Sequence, residues 1–109
     1  MSPMIERHHY FRLKRPHATP EGRADTARRT RETLSRLPGV LAVTVGLPAD
    51  EHAAAGWDLA VTLRFSSLDD VERYRADPEH RRFVDEVLAP RIEVKKVWNF
   101  TIVGESPAG

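Results

Sequence analysis

The chain has 109 residues, a length that suits one domain around one hydrophobic core. Apolar residues make up 40% and charged residues 30%, which excludes general disorder, and no apolar run nears the roughly 18–20 residues that span a bilayer. Basic and acidic residues number 17 and 16, a net charge of +1 that predicts no nucleic-acid partner, and the lack of cysteine excludes a disulfide framework, a thiolate metal site and a thiol nucleophile.

The opening Met1-Ser2-Pro3-Met4-Ile5-Glu6-Arg7 has no hydrophobic stretch of signal-peptide type, so the expectation is an unprocessed, cytoplasmic protein. Met4 to Lys14 reads as a strand, with Ile5, Arg7, His9, Phe11 and Leu13 on one face and His8, Tyr10, Arg12 and Lys14 on the other. Thr19-Pro20-Glu21 starts a helix: threonine caps, proline fits the first turn, and the acid suits the positive helix end. That helix is expected to run to about Leu37, with Ala24, Ala27, Leu34 and Leu37 as its apolar stripe, until Pro38-Gly39 stops it. Its arginines, Arg23, Arg28, Arg29, Arg31 and Arg36, alternate with Glu21, Asp25 and Glu32 and read as a solvated, ion-paired surface.

Val40 to Leu47 is a second strand, rich in β-branched residues, and Pro48 to Gly56 reads as a flexible loop or extended turn. Trp57 to Phe65 alternates cleanly, so Trp57, Leu59, Val61, Leu63 and Phe65 are expected to cover a core. Ser67-Leu68-Asp69-Asp70 resembles a capping box that starts a helix carrying Leu68, Val71 and Tyr74. The Asp77-Pro78 step breaks that helix, because proline disfavours the helical conformation of the residue before it. A second short helix then carries His80, Phe83, Val84, Val87 and Leu88, and Pro90 ends it. Arg91 to Val103 is the last strand, with Ile92, Val94, Trp98, Phe100 and Ile102 as its apolar positions, and Gly104–Gly109 reads as a flexible tail.

The order strand, helix, strand, strand, helix pair, strand predicts an α+β subunit of ferredoxin-like, split βαβ type: a four-stranded antiparallel sheet with helices on one face. The uncovered face makes a homodimer, sheet against sheet, a plausible assembly. The most informative stretch is Tyr74-Arg75-Ala76-Asp77-Pro78-Glu79-His80. A phenol ending one helix and an imidazole in the first turn of the next can share a cavity, and both transfer protons near neutral pH. The same pair can also be purely structural, with the histidine bonded to a carbonyl and the tyrosine packed in the core.

Arg7 and His9 share a face with Ile5, Phe11 and Leu13. They either line a pocket, with Arg7 anchoring an acidic group, or sit at the strand's solvent end, with Arg7 paired to Glu6, Asp77 or Glu79. His8 and His9 point to opposite faces, so they do not share a metal ion, and no metal or other cofactor is expected. Trp57 and Trp98 read as core residues, though either can edge a pocket.

The segments Leu37-Pro38-Gly39-Val40, Trp57-Asp58-Leu59-Ala60-Val61, Phe65-Ser66-Ser67-Leu68, the Tyr74–His80 stretch followed by Phe83-Val84, and Trp98-Asn99-Phe100 resemble the stress-responsive dimeric α/β barrel (Dabb) family over about Met4 to Val103. The resemblance implies a ferredoxin-like subunit and a homodimer whose sheets pack into a barrel. A plant member, olivetolic acid cyclase, closes a linear polyketide by intramolecular aldol condensation without cofactor, and its corner tyrosine and histidine correspond to Tyr74 and His80. At two other pocket histidines of that enzyme, this chain has Arg7 and Leu59, which implies a different ligand.

These readings give an expected homodimer that binds a small organic molecule between sheet and helices, near no membrane. His80 and Tyr74 are its candidate catalytic residues, and Arg7, His9, Trp57, Leu59 and Phe83 its candidate substrate contacts. The expected activity is cofactor-free acid–base cyclisation or isomerisation of a polyketide-like carbonyl compound. The alternatives are a non-catalytic stress-responsive binding protein and a cofactor-free monooxygenase of the antibiotic-biosynthesis type.

Overall fold

The computed structural model of the chain describes residues 3–108; Met1 and Ser2 of the opening segment and Gly109 of the expected flexible tail lie outside them. The strands are β1 (Ile5–Leu13), β2 (Ala42–Gly46), β3 (Leu59–Phe65) and β4 (Ile92–Thr101). The helices are α1 (Pro20–Leu34), α2 (Glu51–Gly56), α3 (Leu68–Ala76) and α4 (Pro78–Phe83), the last continuing through a π turn at Val84–Leu88 and a final turn at Ala89–Arg91. The sheet has the order β2-β3-β1-β4 with every pair antiparallel, which is the split βαβ arrangement expected from the sequence.

Pairing of Arg7 with Leu63 and of His9 with Val61 puts the odd-numbered residues of β1 and β3 on the helix-covered face. The core follows from that alternation: Ile5, Phe11, Leu13, Leu59, Val61, Leu63 and Phe65 are buried under Leu34, Leu37, Val71, Tyr74, Phe83 and Leu88. Burying seven large apolar side chains from two central strands supplies the main stabilising force of the subunit.

Several expectations from sequence are corrected here. The segment read as a flexible loop contains α2, because Asp50 accepts a hydrogen bond from the Ala53 amide and the alanines behind it propagate a helix. On α1 the buried positions are Thr26, Thr30 and Leu34, one helical turn apart, whereas Ala24 faces solvent. The threonines are tolerated inside because their hydroxyls donate to the Gly22 and Thr26 carbonyls at 2.8 and 2.7 Å. Leu68, at the first turn of α3, is 56% exposed.

The largest difference is β4. A register shift opposite Arg12 and Leu13 turns Val94, Trp98 and Phe100 to the uncovered face, where they pair with Arg12, His8 and Glu6. Trp98 is 48% and Phe100 55% exposed, so neither belongs to the core.

Candidate active site in the cavity under the helix corner

Ser67 begins α3 by accepting the Asp70 amide, and Pro78 forces Asp77 into an extended conformation that ends it. Asp77 then begins α4: its Oδ1 accepts the Glu79 and His80 amides at 2.9 and 3.3 Å, with Pro78 in the first turn. One carboxylate therefore closes one helix and opens the next. The turn folds the His80 ring back over Tyr74, with ring centroids 4.2 Å apart and planes at 45°. Tyr74, only 2% exposed, packs its other side against Phe65 at 5.1 Å.

Beside this pair lies a cavity of ≈ 660 Å³ between the sheet and the chain from α3 to the final turn. Arg7, His9, Phe11 and Val61 line its sheet side, Tyr74 and His80 its corner, and Val84 and Leu88 its far wall. The π turn holds Val84 and Leu88 against the cavity, because its wider winding changes the direction in which successive side chains point.

Both histidines have a fixed tautomer. His80 Nδ1 lies 3.2 Å from the Arg75 carbonyl and His9 Nδ1 lies 3.0 Å from the Val61 carbonyl. A carbonyl only accepts, so each Nδ1 carries the proton and donates, and each Nε2 keeps a lone pair. Burial pushes the His9 imidazole down to about 4, and the cations Arg7 and Lys95 and the neighbouring His80 push the same way. His80 is also lowered by burial, helped by Arg7 and Arg81 and opposed by its bond to the Arg75 carbonyl and by Asp77. Burial raises the Tyr74 phenol well above its ordinary value against the field of Arg7. Near neutral pH the cavity thus holds two neutral imidazoles, a neutral phenol and the Arg7 guanidinium.

Arg7 Nη1 donates to Asn99 Oδ1 at 2.9 Å on the neighbouring strand. Among the described residues, no carboxylate lies within ion-pair distance of Arg7, and its buried Nε has no partner. The alternative pairing with Glu6, Asp77 or Glu79 is therefore not found: Glu6 holds His8 and Arg64, and Glu79 holds Arg36.

Four of the seven candidate residues meet at the cavity: Arg7, His9, Tyr74 and His80. The other three lie elsewhere. Trp57 caps the end of α2 and stacks near Tyr10 at 5.7 Å, toward the uncovered face. Leu59 and Phe83 are buried within the core. Lys95, which lines the cavity opposite them, was not legible in the sequence, since the register shift reverses the apparent parity of β4. Among the described residues no group of three His, Asp or Glu side chains is placed to hold a metal ion.

The profile of the stress-responsive A/B barrel domain (Dabb) matches residues 5–101. Among solved structures, a Dabb protein with a ferredoxin-like fold from Mesorhizobium loti superposes with a TM-score of 0.79 at 19% identity, covering 94% of this chain and 100% of the other. A dimeric ferredoxin-like protein from Thermobifida fusca gives 0.76 at 20% identity, covering 94% and 93%. The hydroxynitrile lyase from Passiflora edulis gives 0.77 at 18% identity, covering 98% and 100%. No curated protein matches the sequence.

Proposed function

Since the chain belongs to the stress-responsive A/B barrel (Dabb) family, we propose that it acts as a homodimer whose cavity performs cofactor-free acid–base chemistry on a polyketide-like carbonyl compound. The observation that carries this reading is the contact of Tyr74 with His80, 4.2 Å between ring centroids, at the wall of a cavity large enough for a small organic molecule. A corner that served only packing would have no need of that space beside it.

In the proposed cycle, the His80 Nε2 lone pair takes a proton from the carbon next to a substrate carbonyl. The electrons of that C–H bond move to the carbonyl oxygen, where the Tyr74 hydroxyl donates a hydrogen bond to the developing enolate. Attack of the enolate carbon on a second carbonyl of the same molecule closes a ring, and the imidazolium returns its proton to the new alkoxide. An isomerisation differs only in returning the proton to another carbon. The lowered His80 keeps the base unprotonated at rest, and the raised Tyr74 keeps the phenol a donor.

The homodimer is proposed to form through the uncovered sheet face, where His8, Tyr10, Trp98 and Phe100 make a shallow aromatic surface. That the Thermobifida fusca protein of the same fold is dimeric supports a dimer.

The test is turnover of a linear β-polyketide N-acetylcysteamine thioester by wild type and His80→Ala. The expected result is a loss of about 10²–10⁴-fold in kcat with the melting temperature nearly unchanged. A large fall in melting temperature, or unchanged turnover, would make the corner structural. Oxygen uptake with a quinol substrate would instead identify an oxygenase.

A further inference from the structure

The cations around the cavity are not balanced by the carboxylates around it, and this imbalance is centred on Arg7. Arg7, Arg75, Arg81 and Lys95 line the cavity together with Glu72, Asp85 and Glu93; among the described residues Glu72 pairs with Arg75, and none of these carboxylates pairs with Arg7. Arg7 rises from the inner strand β1, on the same strand face as His9 and beside the Tyr74–His80 corner. Its single hydrogen bond among the described residues goes to the neutral amide of Asn99, and its Nε is enclosed without a partner. A half-buried guanidinium without a counter-ion is unfavourable, and its planar fork matches the two oxygens of a carboxylate.

The rest of the lining limits what that anion is. Phe11, Val61, Leu88 and Ile92 give the mixed lining an apolar side, which suits an organic body rather than a free inorganic ion. His9, with its proton held by the Val61 carbonyl, presents only an acceptor, which suits a hydroxyl on that body.

We infer that the cavity selects a hydroxylated organic acid, with the carboxylate on Arg7 and a hydroxyl on His9. This deepens the proposed function and rests on it for the identity of the reacting cavity, but charge selection is a separate property from catalysis. Arg7 acts here as a specificity-determining residue, with Lys95 adding to the same field.

Calorimetric titration of the full chain with salicylate and with salicylamide, which share a ring and a hydroxyl but differ in charge, tests the assignment. Salicylate is expected to bind at least about tenfold tighter to wild type. In Arg7→Gln that preference should shrink below about threefold through weaker salicylate binding, while Arg7→Lys keeps part of it. A thermal melt of Arg7→Gln checks folding. Removing an uncompensated charge should leave that melt unchanged or raise it. Equal affinity for both compounds, binding of neither, or a preference that survives in folded Arg7→Gln would each overturn the inference. His80→Ala separates the two readings: lost turnover with intact charge preference supports both. Preference without any turnover, in wild type as well, removes the catalytic reading alone.

Discussion

Arg7 shapes the other polar groups of the cavity as much as any ligand. Its charge opposes protonation of His9 and His80 and favours ionisation of Tyr74, although burial is the larger influence on all three. His9 offers the clearest measurement. Folded, it binds its proton only near pH 4, whereas an unfolded histidine does so near 6.5. Between these values the unfolded chain holds more protons, so stability must fall as pH drops from about 6.5 toward 4 and then level off. The groups that act on His9 are Arg7, His80 and Lys95, all opposing its charge, and the Val61 carbonyl, which favours it. The loss assignable to this buried side chain is about 3 kcal/mol. Denaturant unfolding at several pH values checks it, with His9→Gln expected to show a shallower slope while the lowered His80 still contributes; equal slopes in both proteins would remove His9 as the cause. Tyr74, His80, Arg7 and His9 were all legible as candidates because period-two alternation and the proline break fix where such side chains point. Leu59 and Phe83 were not separable from them, because sequence pattern distinguishes a buried side from an exposed one but not a packed core from a cavity wall; Trp57 was misplaced because it lies before β3, at the end of α2.

At the level of elements, the corner depends on Asp77, which in the sequence stands out only as the residue before a proline. Its side chain satisfies two amides at the start of α4, including that of His80 itself. Asp77→Ala should cost about 1 kcal/mol, or roughly 4–8 °C in melting temperature, as loss of a helix cap does. Turnover should fall further than the stability loss explains, because the His80 ring loses its mooring, and Asp77→Asn or Asp77→Ser should restore much of both. Full activity in a folded Asp77→Ala protein would show that the cap does not position the ring. The helix starts were readable from Thr19-Pro20, Ser67 and Asp77-Pro78, since caps and prolines act locally, whereas α1 ends at Leu34, short of the expected Leu37, and the last helix runs through Pro90 to Arg91. The π turn after Phe83 was not readable, because no local residue type demands it.

For the whole molecule, the uncovered sheet face is the surface proposed for assembly. Trp98 and Phe100 stand out from it beside Tyr10 and His8, and such exposed aromatics are more than a lone subunit of this size needs to display. Phe100→Glu is expected to shift the protein from dimer to monomer in size-exclusion chromatography with light scattering, with circular dichroism unchanged. A variant that stays dimeric would place the interface elsewhere. The uncovered face was expected from sequence, but Trp98 was read as core, because the shift opposite Arg12 and Leu13 sets Ile92 and Trp98 on opposite faces, and a strand's parity is visible only once its partner's register is known.

Strand β1 lies inside the sheet, between β3 and β4, and carries Arg7 and His9 toward the cavity and His8 and Tyr10 toward the open face. Substitutions along it can therefore drift in two independent tracks, odd positions constrained by the core and the cavity and even positions by the open face. A one-residue insertion or deletion has no such freedom. It would exchange the two tracks at a stroke, setting His8 in the pocket and His9 at the subunit surface, so this strand should keep its length across evolution even where its residues do not.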